Sequence, residues 1–464
     1  MSELLDMGVV DLSDGVDRGD FSYAEIMAAS LDRIEATNSE INAIVSLRER
    51  DVLMTEAENA TSLPKVSKLH GLPIAIKDLM ETQGLRTTYG SPIYRDVVPA
   101  ADAVGTKHIR NSGMIIIGKT NTPEFGLGSH SYNPVHGVTR NPYNLAKTAG
   151  GSSGGAAAAL AARMIPVADG SDMMGSLRNP AAWCNVYGMR PTIGLVPDGS
   201  TGDMYLSQLA TLGPMARSIE DLAILLDVMS QSASDATFLN AIEKPANSCR
   251  IGWLGDWNGR YQIEGDILSV CRSGLQVLED QGHTVEPVQL DFDPEKLWMS
   301  WVRLRNVAMA AKMKVEYENP DMRDLLKPEM IYEIESGLAL SGQEISDALA
   351  ARTDWFKYLE KMYQAHDVIA LPSAQVMPFE AELDWPKSIN GQQMLTYHNW
   401  MEIVVPASLI GLPALNVPAG FSSTGLPVGV QLMGPRGADA KLLQLGKAYH
   451  DATLWPQKRL PDLI

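Results

Sequence analysis

The chain has 464 residues, 45% of them hydrophobic and 20% charged, the balance of an ordinary globular protein with a large core rather than of a disordered one. Its formal net charge of -18 repels phosphate backbones and anionic lipid, which argues against nucleic-acid and membrane-surface partners and leaves small neutral or cationic ones. Cys184, Cys249 and Cys271 are odd in number, far apart and without metal-ligand spacing, the pattern of buried reduced thiols in a cytoplasmic protein.

In chain order, the opening MSELLDMGVVDLSDG is acidic and lacks both a basic n-region and an apolar h-region, so no secretory signal is expected. No later apolar run approaches the length needed to span a bilayer. Ser22 with Glu25 sets a capping-box start for a helix. The short apolar runs PIAIKD (73–78) and MIIIGKT (114–120) read as strands. GGSSGG (150–155) then feeds AAAALAAR, a small-residue loop running into a strong helix former. Its glycines let backbone come close to other atoms, and its serines can face a site at the helix N-terminus.

The strand MIPVAD (164–169) leads into a second Gly- and Ser-containing turn, DGSDMMGSLRNPAAW (169–183). Ser218 with Asp221 marks another helix start, and CRIGWLG (249–255), DVIALPS (367–373), ALNVPAG (414–420) and GVQLMGP (429–435) read as further strands. Strands alternating with helices imply an α/β fold with its sheet covered on both faces. No repeat or Pro/Ser-rich linker divides the chain, so residues 1–464 are expected to form one body. The stretch 290–400 differs in kind, holding Trp298, Trp301, Trp355, Trp385, Tyr397 and Trp400 among other aromatics. It reads either as a variable lobe shaping a substrate pocket or as plain helical core.

Two serine loops with a distant lysine at the end of the strand IAIKD suit a Ser–Lys catalytic arrangement, which requires no histidine. The loop 150–155 also fits the nucleophile elbow G-x-S-x-G, centred on Ser152 or Ser153, and His366, His398 and His450 follow it. An α/β-hydrolase-type esterase using Ser152 therefore stays open at this point. Ser62 and Lys65 form S-x-x-K without its companion motifs and read as surface loop. No Walker loop, H-E-x-x-H or C-x-x-C occurs, so neither metal nor cofactor is implied.

GGSSGG, GSDMMGSLRNPA (170–181) and YGMRPTIGLVP (187–197) together resemble the amidase signature. The resemblance extends upstream to GLPIAIKDLMETQGLRTTYGS (71–91) and GKTNTPEFGLGSHSYNPVHGVTRNPYN (118–144), and downstream to PASLIGLPALNVPAGFSSTGLPVGVQLMGP (406–435). It covers about half the chain in the right order and spacing, and is weakest over 235–395. It implies an α/β/α sandwich with a central mixed β-sheet, hydrolysis of a small-molecule amide through an acyl-enzyme, and no metal. Dimers are common in the family, so the resemblance leaves a homodimer open.

Position by position, the family's catalytic lysine falls on Lys77, its bridging serine on Ser152 and its nucleophile on Ser176. A lysine ending an apolar strand is desolvated, which lowers its pKa towards the range of a useful base. The resemblance gives the oxyanion-binding N–H groups to Met173, Met174, Gly175 and Ser176, and a backbone contact with the substrate amide to Gly126. Ser153, Asp172 and Arg178 are implied as support around the turn. Where the family usually has Thr-Asp-x-Gly-Gly-Ser, this chain reads Ser171-Asp172-Met173-Met174-Gly175-Ser176, with a methionine replacing a glycine. Three functions follow: a free-standing amidase, preferring a bulky or aryl amide if the aromatic stretch lines the pocket; a glutamine-hydrolysing subunit of an amidotransferase, with Arg303 or Arg305 for the glutamine carboxylate; and a catalytically dead binding protein.

Overall fold

The computed structural model describes residues 2–199, 208–231 and 237–464. The apolar runs are strands at Pro73–Lys77, Ile115–Thr120, Val167–Asp172, Arg250–Trp253, Val368–Pro372, Ala414–Phe421 and Pro427–Met433. The last five join Tyr187–Arg190, Thr211–Ala216 and Thr284–Pro287 in an eight-stranded sheet. From one edge the order is Thr284–Pro287, Arg250–Trp253, Val368–Pro372, Pro427–Met433, Ala414–Phe421, Tyr187–Arg190, Thr211–Ala216, Val167–Asp172. Arg250–Trp253 is parallel to both its neighbours and the remaining pairs are antiparallel, so the sheet is mixed.

Side chains of a strand alternate between faces, so a strand covered on both sides must be apolar at consecutive positions. Val368–Pro372 is such a strand: Val368 and Ala370 enter one apolar cluster, Ile369 and Leu371 the other. The first cluster is completed by Cys271, Leu275 and Leu278 of helix Ile267–Asp280 and by Leu442, Leu445 and Tyr449 of helix Asp439–Thr453. The second holds Trp298, Trp301 and Trp355 from helices Pro294–Lys312 and Gly342–Met362. Helices on both faces of a mixed sheet make the α/β/α sandwich.

Local signals acted as expected. Ser22 and Glu25 form the capping box, with the Glu25 N–H donating to Ser22 Oγ at 3.2 Å and the Ser22 N–H to Glu25 Oε2 at 2.8 Å. Ser218 Oγ accepts from the Asp221 N–H at 3.0 Å, but the Asp221 carboxylate accepts from the Val9 N–H instead of reaching back. The three cysteines are free and buried. In the 290–400 stretch Trp301 and Trp355 are fully buried in the second core cluster. Trp355 is anchored there by its Nε1–H donating to Pro406 O at 3.0 Å. Among the described residues, no helix is long and apolar enough to cross a membrane.

Pro73–Lys77 lies parallel to Ile115–Thr120 in a smaller three-stranded sheet completed by Ile44–Val45. It also lies beside Val167–Asp172, the edge strand of the main sheet, and the Lys77 N–H donates to Asp169 Oδ1 at 3.0 Å. The end of the lysine strand is thereby fixed against the strand that leads into the turn carrying Ser176.

Candidate active site

The loop Gly150–Ser153 leaves no room for a side chain at its two glycines. A Cβ on Gly151 would lie 2.7 Å from the His130 backbone nitrogen, so the loop is pressed against the backbone of Ser129 and His130, and the Gly151–Ser152 peptide is cis. This close seating brings Ser152 and Ser153 to the buried Lys77. Its ammonium nitrogen is 2.8 Å from Ser152 Oγ, 2.8 Å from Ser153 Oγ and 3.0 Å from Ser171 Oγ. Burial pulls Lys77 down to about 7, with Asp169 and Asp172 opposing the shift.

The turn after Val167–Asp172 is held by one carboxylate. Asp172 Oδ1 accepts from Gly175 N–H at 2.9 Å and Oδ2 from Leu177 N–H at 3.1 Å. Arg178 donates to both oxygens at 3.0 Å, and Arg190 Nη1 approaches Oδ1 at 3.2 Å. All three side chains are completely buried. Burial alone would raise the Asp172 carboxyl, but the two guanidinium groups overcome it and hold it well below the ordinary carboxylate range. Arg178 reaches further, to Val404 O, Gln431 Oε1 and Ser408 Oγ, tying the turn to the C-terminal half.

Within this turn Gly175 alone occupies the left-handed region, at φ +81°, where Val404 would also collide with a Cβ. Methionine at 174 therefore leaves the backbone path intact. The Gly175 N–H already donates to Asp172 Oδ1. The N–H groups of Met173, Met174 and Ser176 have no partner among the described residues.

Ser152, Ser171 and Ser176 open on a common pocket. Leu79, Phe125, Gly126, Met173 and Met174 line its sheet side, and Arg305, Met309, Lys312 and Met401 the other. Of the residues expected from the sequence, Lys77, Ser152, Ser153, Ser176, Gly126, Met173 and Met174 are brought together here, with Asp172 and Arg178 beneath. The 290–400 aromatics mostly pack into core, and the pocket's far wall is made by Arg305, Met309, Lys312 and Met401 instead. Arg305 is buried and engaged by Glu333 Oε1 at 2.7 Å, Tyr397 OH at 2.9 Å and Met173 Sδ at 3.0 Å. Arg303 pairs with Glu344 and does not line the pocket.

No histidine lines the pocket among the described residues. His450 bonds Tyr187 OH, and His398 sits beside Thr396. The elbow reading thus lacks its base near Ser152. Sequence reasoning missed Ser171 and Asp169 as neighbours of Lys77. Strand alternation could have found both, since residues two apart on Val167–Asp172 share a face. Burial raises the Asp169 carboxyl to about 6.

A mixed-sheet α/β enzyme with a serine-lined pocket over a buried lysine is the class that fold and site define. The chain belongs to the amidase family, whose model, described as Amidase, matches residues 25–443. It is an amide hydrolase of the amidase signature group. It is 30% identical to an acylamidase of Rhodococcus erythropolis, covering 99% of this chain and 98% of that one. It is 34% identical to a glutamyl-tRNA(Gln) amidotransferase subunit of Thermus thermophilus, covering 96% and 97%. Among solved structures, a bacterial aryl acylamidase of the amidase signature family superimposes with a TM-score of 0.89 at 26% identity, covering 98% of this chain and 99% of that one.

Proposed function

We propose that the protein is a free-standing amidase in which Ser176 attacks the amide carbonyl and Lys77 takes its proton through Ser152. The observation that carries this reading is the 2.8 Å contact between Lys77 Nζ and Ser152 Oγ, in a pocket that Ser152 shares with Ser176. A lysine whose proton affinity lies near neutrality is half in its basic form at physiological pH, the condition for an efficient general base. The tetrahedral oxyanion is received by backbone N–H groups among Met173, Met174 and Ser176. Ser153 and Ser171 hold the other donor positions of Lys77, so that its lone pair is directed at Ser152. Asp172 and Arg178 keep the turn in register.

The substrate is a small-molecule amide with a bulky or aryl group, in keeping with the likeness to an aryl acylamidase and with the apolar walls Leu79, Phe125, Met174 and Met309. Helices from the 290–400 stretch act as the wall that selects it. Incubation with a serine-directed fluorophosphonate followed by peptide mass spectrometry should label Ser176. Labelling of Ser152 instead would overturn the assignment.

The second reading, a glutamine-hydrolysing amidotransferase component, is supported by the likeness to the Thermus thermophilus protein. Against it, the Arg305 guanidinium is already occupied by Glu333 and Tyr397 and is poorly placed to take a glutamine carboxylate. The purified single chain should release amine from simple aryl amides faster than ammonia from glutamine. The reverse order would favour the second reading.

A further inference from the structure

Asp169 is a fully buried carboxylate that the proposed reaction does not use. Its Oδ1 accepts the Lys77 backbone N–H at 3.0 Å, while its Oδ2 is buried without a hydrogen-bond partner among the described residues. Leaving such an oxygen unsatisfied is costly unless nearby positive charge compensates. Two buried ammonium groups act on it, Lys77 and Lys119. Lys119 lies near the end of the neighbouring strand Ile115–Thr120, is completely buried, and donates to Met80 O at 2.5 Å and Thr82 Oγ1 at 2.8 Å.

We propose that Asp169 is a positioning residue for Lys77, fixing the end of the lysine strand through Oδ1 and supplying a buried negative charge that Lys77 and Lys119 share. It rests on the reading of Lys77 as the base. Burial by itself would strip Lys77 of proton affinity and leave a weak base. Asp169 restores part of that affinity, and Lys119 keeps it from restoring too much. Burial lowers Lys119 to about 8, so it is still largely cationic near neutrality. The other charged groups acting here are Asp172 on the same strand, which also acts on Lys77, and Asp78, Glu81 and Asp102, which act on Lys119. The strand Thr211–Ala216 places Pro214 opposite Asp169 and adds no charge there.

The test is the acid limb of kcat/KM against pH on one aryl amide, read with thermal unfolding. Asp169→Asn keeps an acceptor for the Lys77 N–H but removes the charge, so the limb should move to lower pH by roughly one unit. Lys119→Met leaves Asp169 to Lys77 alone, so the limb should move to higher pH. Opposite shifts are a signature that lost packing would not produce. An unmoved limb in a folded Asp169→Asn protein, or two limbs moving the same way, would overturn the inference. If Asp169→Asn does not fold, Lys119→Met decides: an upward shift supports the shared charge and an unmoved limb refutes it. If Lys77→Ala keeps both the wild-type rate and its limb, Lys77 is not the base, and both readings fall together.

Discussion

On the sheet side of the pocket, every polar side chain beneath Ser176 is fixed by something buried. Lys77 meets three serine hydroxyls, Asp172 is saturated by two arginines and two backbone N–H groups, and the 150–153 loop is pressed onto neighbouring backbone. On the helical side, Met309 and Lys312 project from Pro294–Lys312 on unbranched, rotatable side chains, and Met401 joins them from a short 3-10 segment. Methionines adapt to what they touch, whereas a saturated buried network has no second arrangement of similar energy. The contrast suits the proposed function, in which the sheet side would set whether an amide is cleaved and the helical side which one.

The largest expected effect lies on the sheet side. Ser176→Ala should lower kcat by on the order of ten-thousandfold or more, since the proposed acyl-enzyme cannot form, while the melting temperature stays near wild type. A folded variant keeping a tenth of the activity would break the contrast at its centre.

Lys77→Ala should cost on the order of a thousandfold, with a residual rate that rises with pH as hydroxide replaces the missing base. In the wild type the sign is fixed: Lys77 must be neutral to accept a proton, so kcat/KM should fall as pH drops through about 7. Histidine variants provide the control. If His398→Ala or His450→Ala removed activity while Lys77→Ala did not, the Ser–Lys mechanism would be wrong.

Breaking the network under the turn should cost stability before it costs chemistry. Arg178→Met leaves Asp172 with Arg190 as its one arginine partner and strands Gln431 Oε1 and Ser408 Oγ, and should destabilise the fold by roughly 3 kcal/mol in urea denaturation. The exposed pair Lys447–Asp451 is the comparison, where Lys447→Met should change stability by less than about 0.5 kcal/mol. Equal losses would mean that the buried network is no more committed than a surface pair.

The same division explains what could be read from the sequence. The Gly- and Ser-rich loops and the lysine ending an apolar strand are separate motifs far apart in the chain, and the family resemblance joined Lys77, Ser152, Ser153 and Ser176 as candidates, whereas strands built on short apolar runs, such as Val368–Pro372, were legible locally. Thr284–Pro287 was not, because an edge strand with one covered neighbour can carry polar residues and lose its apolar signature. Met309 and Lys312 escaped as pocket walls, because their place depends on how a helix beginning at Pro294 packs over the sheet, which no local pattern encodes. The tryptophans left both readings open, because a large apolar ring suits a pocket wall and a core equally, and Trp301 and Trp355 went to the core. The hydrogen bond from the Gly175 N–H to Asp172 was not legible either, because a turn motif does not reveal which N–H its own aspartate binds.

The smallest expected effect is at Met174, where the two sides meet. Its N–H is free among the described residues, while its side chain is 4% exposed, lines the pocket and belongs to the second core cluster. An oxyanion donor needs only the backbone, so Met174→Ala should keep the rate on a small amide within about tenfold, since loss of a real donor costs on the order of a hundredfold or more. The left-handed turn residue is Gly175, so alanine at 174 does not disturb the path of the chain. Truncating a buried methionine should cost about 2 kcal/mol of stability, so kinetics are best measured well below the melting temperature. In the proposed reaction the vacated volume would lie beside the reacting carbonyl, so amides branched next to that carbon should gain in kcat/KM relative to unbranched ones. Met174→Pro removes the N–H and should be nearly inactive, with circular dichroism checking that the turn still folds. If Met174→Ala cost as much as Met174→Pro in a folded protein, the thioether would have to take part in the reaction itself, and the sheet side would no longer act through backbone alone.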